Sequence, residues 1–262
     1  MPETFLILAA GGVMLAAAVS NPREVTLQWL RLAGMIALCG CGLAIYFYTR
    51  REPTHASPTY VHGQAGLIAA TVAAVLGQLA FVQVAYRHTQ RAFAIVAFVA
   101  AVAAGCSLVH DISVIDWDYQ VRAFAVQAVG VAGVAAMCGL VLMDMLLGHA
   151  YLTASKMTIA PFRRLNLSLA VTLVLRTVCS VIAGVYATRH GGEQFWGIYG
   201  LLVGTRWFVG LLVPAVFIYM AHDCIKRRST QSATGILYVA GVLVFIGEII
   251  ALQLVRDTAM PF

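Results

Sequence analysis

The sequence predicts an all-α integral membrane bundle of eight transmembrane helices with both termini outside, and three observations lead there. Apolar residues make up 61% of the chain and charged residues only 11%, with a mean hydropathy of +0.86, well outside the soluble range. Charge-poor apolar runs of about 20 residues, the length that crosses a hydrocarbon core, recur from end to end. The connections between them are too short for a soluble domain, so residues 1–262 are expected to pack as a single polytopic unit.

The first span, 4–20, follows Met-Pro-Glu without a basic leader region or a clear small-residue cleavage site, which makes it a true span rather than a removed signal peptide. Gly11 and Gly12 in this span predict close helix approach. The second, 27–48, ends at the connection 49–63, which carries Pro53 and Pro58. The third and fourth, 64–86 and 92–110, are joined across Arg87, His88 and Arg91. The fifth, 122–147, holds Gln127, Gly130, Gly133 and Asp144, and leads into the connection 149–164 with Pro161. The sixth, 165–188, contains Arg176. The seventh, 199–221, contains a Gly200/Gly204 GxxxG pair, predicted to pack against another helix, and Arg206. The eighth, 233–254, contains Glu248.

Lys and Arg in alternate connections set the orientation. One set holds nine: Arg23, Arg87, Arg91, Lys156, Arg163, Arg164, Lys226, Arg227 and Arg228. The other holds five: Arg50, Arg51, Arg122, Arg189 and Arg256, diluted by Glu52, Asp111, Asp116, Asp118, Glu193 and Asp257. The richer set belongs in the cytoplasm, so the net charge of +6 is an orientation signal and not a nucleic-acid footprint. Trp117, Tyr119, Trp196 and Tyr199 then form the outer aromatic belt. The location implied is the cell inner membrane, multi-pass, with the lipid bilayer as surroundings.

All six cysteines (39, 41, 106, 138, 179, 224) fall in spans or at the inner face, and no CxxC pair occurs. Buried packing is their expected role, and neither a disulfide framework nor a zinc or iron–sulfur cradle is expected.

Charge inside a span carries more information, since a charged group at the bilayer centre costs roughly 2.5–3.5 kcal/mol even on the lenient insertion scale. Arg206 and Glu248 lie at matching depth, about 10 Å below the outer boundary at 1.5 Å per residue. They are expected to meet, with Arg176 nearer the midplane extending the network and Gln127, His110 and Asp111 near the outer helix ends. Such a set offers guanidinium donors, a carboxylate able to take a proton, and an imidazole. A quinol suits it: its hydroxyls need an acceptor and a proton route, and its ring and tail need apolar walls, for which Trp207, Phe208 and Phe245 are candidates. The competing structural reading is an ion pair that only sets helix register, tested by substituting Arg206 and Glu248 together.

A second constellation lies at the inner ends: His88, His149 and His222 with Asp144 and Asp223, residue types that can hold a transition metal but that also serve simple solvation. No metal ligand is assigned. Haem b remains an alternative, not favoured, because every histidine lies at a span end or in a connection.

The closing helices read Gly204-Thr-Arg-Trp-Phe-Val-Gly-Leu-Leu-Val-Pro214 and Gly235-Ile-Leu-Tyr-Val-Ala, then Gly247-Glu248. With the topology and length, they resemble the membrane-anchor subunits of the dimethyl-sulfoxide-reductase and polysulfide-reductase families. The likeness covers about the last 55 residues and carries over to Arg206, Pro214, Gly247 and Glu248. It departs at Ile249-Ile250-Ala251-Leu252, where those anchors often place a basic residue. The resemblance implies a subunit without its own redox cofactor that binds quinol near the outer face. Electrons would pass to an iron–sulfur partner and on to a molybdenum catalytic subunit. Glu248 is then the proton acceptor and Arg206 the donor to the quinone oxygen, with Arg176, His110, Gln127 and Trp207 around the ligand. The alternatives are a transporter or channel for a small solute or ion, and a non-catalytic scaffold. Transport would more naturally show discontinuous helices, and Pro214 is the sole mid-span proline.

Overall fold

The computed structural model describes residues 1–51, 58–83, 87–112, 117–153 and 158–262; the side chains of 58–60, 87, 111–124, 153 and 190–194 lie outside that description. The expectations resting on Glu52, Pro53, Pro58, Arg87, Asp111, Asp116, Trp117, Asp118, Tyr119, Arg122, Lys156 and Glu193 fall on those positions.

Among the described residues the chain is all-helical, in the order α1 (Pro2–Val19), α2 (Leu27–Arg50), α3 (Pro58–Gln83), α4 (Arg87–Ile112), α5 (Trp117–Thr153), α6 (Ala160–Trp207), a π-helical segment (Phe208–Leu212), α7 (Val213–Lys226) and α8 (Thr230–Thr258). Eight stretches are long and apolar enough to cross a membrane, as the sequence predicts, and the protein is accordingly a multi-pass membrane protein. Two of them share α6. Residues Ala160 to Trp207 are helical but do not form one rod, because the Trp207 indole donates to the Ser180 hydroxyl at 2.8 Å. A straight helix would hold those residues about 40 Å apart. The chain therefore doubles back between the spans Ala160–Arg189 and Phe195–Lys226.

α1 and α5 form the centre. In each, 67% of the apolar stretch is buried, α1 against α2, α4 and α5, and α5 against α1, α6 and α8. Small residues make this possible. A Cβ at Gly12 would overlap the backbone of Ala135, and one at Gly139 would overlap Gly12 itself, so α1 and α5 touch backbone to backbone. Gly11, Gly130 and Gly133 are likewise closed in, by Ala101, Val255 and Arg176. Gly200 and Gly204 are not: Gly204 has open space where a side chain would go and Gly200 meets only Trp196 at 3.8 Å. The GxxxG expectation is thus corrected. That face looks outward, beside Leu201 and Phe208, and the close crossing of this span is made instead by Gly210 against Gly247.

Polar contacts tie the connections together. Thr26 caps α2 by accepting from the Trp29 N–H at 3.2 Å. Glu24, between α1 and α2, pairs with Arg164 at the start of α6 at 2.8 Å, which puts those two connections at one end of the bundle. That agrees with the alternation used to count basic residues. All six cysteines are unpaired, with Cys41, Cys106 and Cys138 buried.

Candidate functional site

The inward faces of three spans carry the charged residues. On α6, Val171, Val174, Leu175, Val178, Val181 and Ile182 are exposed along one face, so the opposite side, with Leu169, Leu173, Arg176 and Ser180, turns to the core. On α8 the buried stripe runs Leu237, Ala240, Gly241, Val244, Gly247, Glu248, Ala251 and Leu252. Glu248 therefore cannot reach lipid or water.

There it accepts from both arginines. Arg176 Nη2 lies 2.8 Å from Oε2 and Arg206 Nη2 lies 2.8 Å from Oε1, with exposures of 3% for Arg176 and 0% for Arg206 and Glu248. The sequence makes Arg206 the partner and Arg176 a secondary member; the structure makes them equal, one on each carboxylate oxygen. Glycines shape the enclosure. A Cβ at Gly210 would stand 2.7 Å from the Gly247 Cα and 2.9 Å from Arg206 Nη1. A Cβ at Gly133 would stand 2.9 Å from Arg176 Nε. Arg206 Nη1 also makes a long contact, 3.4 Å, to the Gly210 carbonyl. The Cys138 thiol on α5 is within electrostatic reach of all three charged groups.

Two guanidiniums and one carboxylate leave an excess positive charge. Arg176 Nε and Nη1 and Arg206 Nε are buried without a hydrogen-bond partner. Unmet donors of this kind in a dry interior cost about 1–3 kcal/mol each, more when charged. The cluster is short of an acceptor.

Its surroundings are apolar. Thr177 and Trp207, the chain neighbours of Arg176 and Arg206, line a groove of about 410 Å³ with Val181, Gly204, Phe208, Leu211, Leu212 and Ala215. At the end of α8, Ala259 adopts a left-handed conformation (φ 55°). The chain then turns back so that Phe262 is buried against Ala183, Ala187, Val203 and Leu254 and stacks on Phe195 at 6.1 Å.

The other expected members are placed apart. None of the cluster's hydrogen bonds goes to Gln127, His110 or Trp207. Gln127 is buried on α5 with its Nε2 unpartnered, six residues or about 9 Å along the helix from Gly133. His110 is half-buried near the end of α4. The Trp207 indole N–H is committed to Ser180, and its ring faces the groove rather than the guanidiniums. Phe245 packs edge-on against Phe5 of α1, away from Trp207 and Phe208. Ser180 carries no signal in the sequence, and Cys138 reads there only as a buried packing residue; both are small in apolar runs, and their place beside the cluster emerges once the helices are assembled.

At the other end of the bundle His88 and His149 are exposed, and Asp144 is fully buried. Among the described residues no three His, Cys, Asp or Glu side chains gather as a metal site would require. Comparison with protein-family models, with curated proteins and with solved structures gives no match to this chain.

Proposed function

We propose that this chain is the quinone-binding membrane subunit of an electron-transfer complex, lying in the cell inner membrane with both termini on the outer side. The observation that carries the reading is the acceptor-short cluster of Arg176, Arg206 and Glu248, fully enclosed and bordered by an apolar groove. A quinone carbonyl supplies the acceptor those donors need, and the groove offers apolar walls for its ring and tail. Arg206 and Arg176 would donate to the quinone oxygen, and Glu248 would take the proton released on quinol oxidation. The electrons would leave to an iron–sulfur partner at the outer face and from there to a catalytic subunit. The test is the quinone content of protein purified gently from its native membrane. One quinone per chain is expected in the wild type and a loss in Arg176→Met, which leaves a neutral Arg206–Glu248 pair and so disturbs folding least. Wild-type protein without quinone or redox partners refutes the reading.

A second reading, transport of a small anionic solute, is favoured by one feature. The span that carries Arg206 changes to π-helix immediately after it, over Phe208–Leu212, and such breaks often mark functional positions. Uptake of a labelled anion by proteoliposomes, lost in Arg206→Met, would select it.

A further inference from the structure

A buried carboxyl group sits in the opposite half of the bundle from the arginine cluster. Asp144 on α5 has no exposed surface and no Lys, Arg or His within ion-pair distance among the described residues. Its Oδ2 accepts from Asn166 Nδ2 at 2.9 Å, while Oδ1 is buried without any partner. The Asn166 carbonyl oxygen in turn meets His222 Nδ1 at 3.2 Å. Half-buried His222 lies near the end of α7, next to the exposed run Lys226, Arg227 and Arg228. Three side chains from three helices thus form one line from the basic end of the bundle to a dry carboxyl.

An ionised carboxylate in that position would be uncompensated, since Asn166 is neutral and supplies a single donor. Burial of an unpaired charge is resolved by neutralisation, and the bare Oδ1 is the atom with room for a proton. The titratable neighbours do not change this. His222 faces Asn166 rather than Asp144; Asp223 is engaged with Arg227 at 2.8 Å; His149 is exposed one turn further on. Cys138 lies about 9 Å back along α5, toward the other cluster. On α8 the Thr234 hydroxyl lies against Gly148, one turn along α5 from Asp144, and the acidic residue of α1, Glu3, is engaged with the Met1 amino group at 3.0 Å.

We infer that Asp144 is a proton-binding site loaded from the basic end of the bundle, with Asn166 and His222 as positioning residues that hold its mouth. Asn166 is the fixed point. Its amide donates to Asp144 and accepts from His222, so the imidazole must keep its proton on Nδ1, which leaves Nε2 of the half-buried ring outside this line. An aliphatic residue at 166 would cut the line in the middle.

The site does not depend on the quinone reading, and infrared titration of the whole protein in lipid tests it. Aspartate labelled with carbon-13 at the side-chain carboxyl should shift a carbonyl band typical of a protonated acid in an apolar place. That band should be present at neutral pH, disappear on alkaline titration, and be absent in Asp144→Asn. His222→Gln should keep the band and slow its exchange with deuterium oxide. The wild-type label needs no substitution, so a poorly folding variant does not spoil the result. Lack of any label-sensitive protonated-acid band overturns the inference. So does a band that persists in Asp144→Asn, or a carboxylate that stays ionised because sodium or potassium holds it.

Discussion

Removing the shared carboxylate should damage this protein more than removing either arginine, and the structure sets the order. Glu248 takes one 2.8 Å bond from each guanidinium. Glu248→Leu leaves two cations enclosed with no countercharge, whereas Arg176→Met or Arg206→Met leaves a neutral, hydrogen-bonded pair. Breaking a buried pair by deleting one member costs about 3–5 kcal/mol, or about two to four decades in the folded-to-unfolded ratio at about 1.4 kcal/mol per decade. Loss of one charged hydrogen bond costs about 1.5–3 kcal/mol. The double change Arg206→Met with Glu248→Leu should not recover stability, because Arg176 is left alone in the interior. Only the triple change, with Arg176→Met added, restores neutrality, and it is expected to exceed the double. Unfolding of the purified protein in mixed detergent micelles, followed by circular dichroism, reads the series. A Glu248→Leu variant no less stable than the two arginine variants, or a double as stable as the triple, would refute the shared-carboxylate reasoning.

Other expectations separate the packing of the site from its charge. Gly247→Ala should cost about 1–3 kcal/mol through overlap with Gly210, seen as a lowered unfolding midpoint, while Gly204→Ala, with open space around it, should stay within about 0.5 kcal/mol. Trp207→Phe removes the bond to Ser180 and should cost about 1 kcal/mol, with tryptophan fluorescence reporting the change. Arg164→Ala opens an exposed pair with Glu24 and should change the unfolding midpoint by less than about 1 kcal/mol.

Spans and buried charges were legible because each obeys a local rule. Apolar length sets the number of crossings, and the depth of Arg206 and Glu248, counted from their span ends, puts them within reach of each other. What counting could not show is rotation about each helix axis. Gln127 and Arg176 are both buried, but only Arg176 turns toward Glu248. Gly200 and Gly204 satisfy a packing pattern while facing outward, and Gly139 and Gly210 make close crossings without belonging to a GxxxG pair. Asn166 is an instructive omission. The polar residue in Leu165-Asn166-Leu167 lies within two turns of the start of α6 and Asp144 within three turns of the matching end of α5, so amides as well as charges carry a pairing signal there. The inner histidines read as a group because they share a depth, yet only His222 joins a buried partner.

The π segment has a consequence for the phase of the helix it interrupts. Ile218 follows Arg206 by twelve positions, and at about 100° per residue a regular α-helix would set the two roughly 120° apart around the axis. One extra residue taken up in a π turn subtracts about 100° and leaves them nearly aligned. Pro214, Ile218, Ala221 and Ile225, the buried residues of α7, then fall on the same side as Arg206. A single-residue deletion anywhere in 208–212 should therefore act as a rotation: with α7 seated, Arg206 would swing toward lipid, and with Arg206 seated, the buried face of α7 would turn away from the bundle. Five residues without a charge or a polar side chain thus fix the angular offset between the two ends of the span.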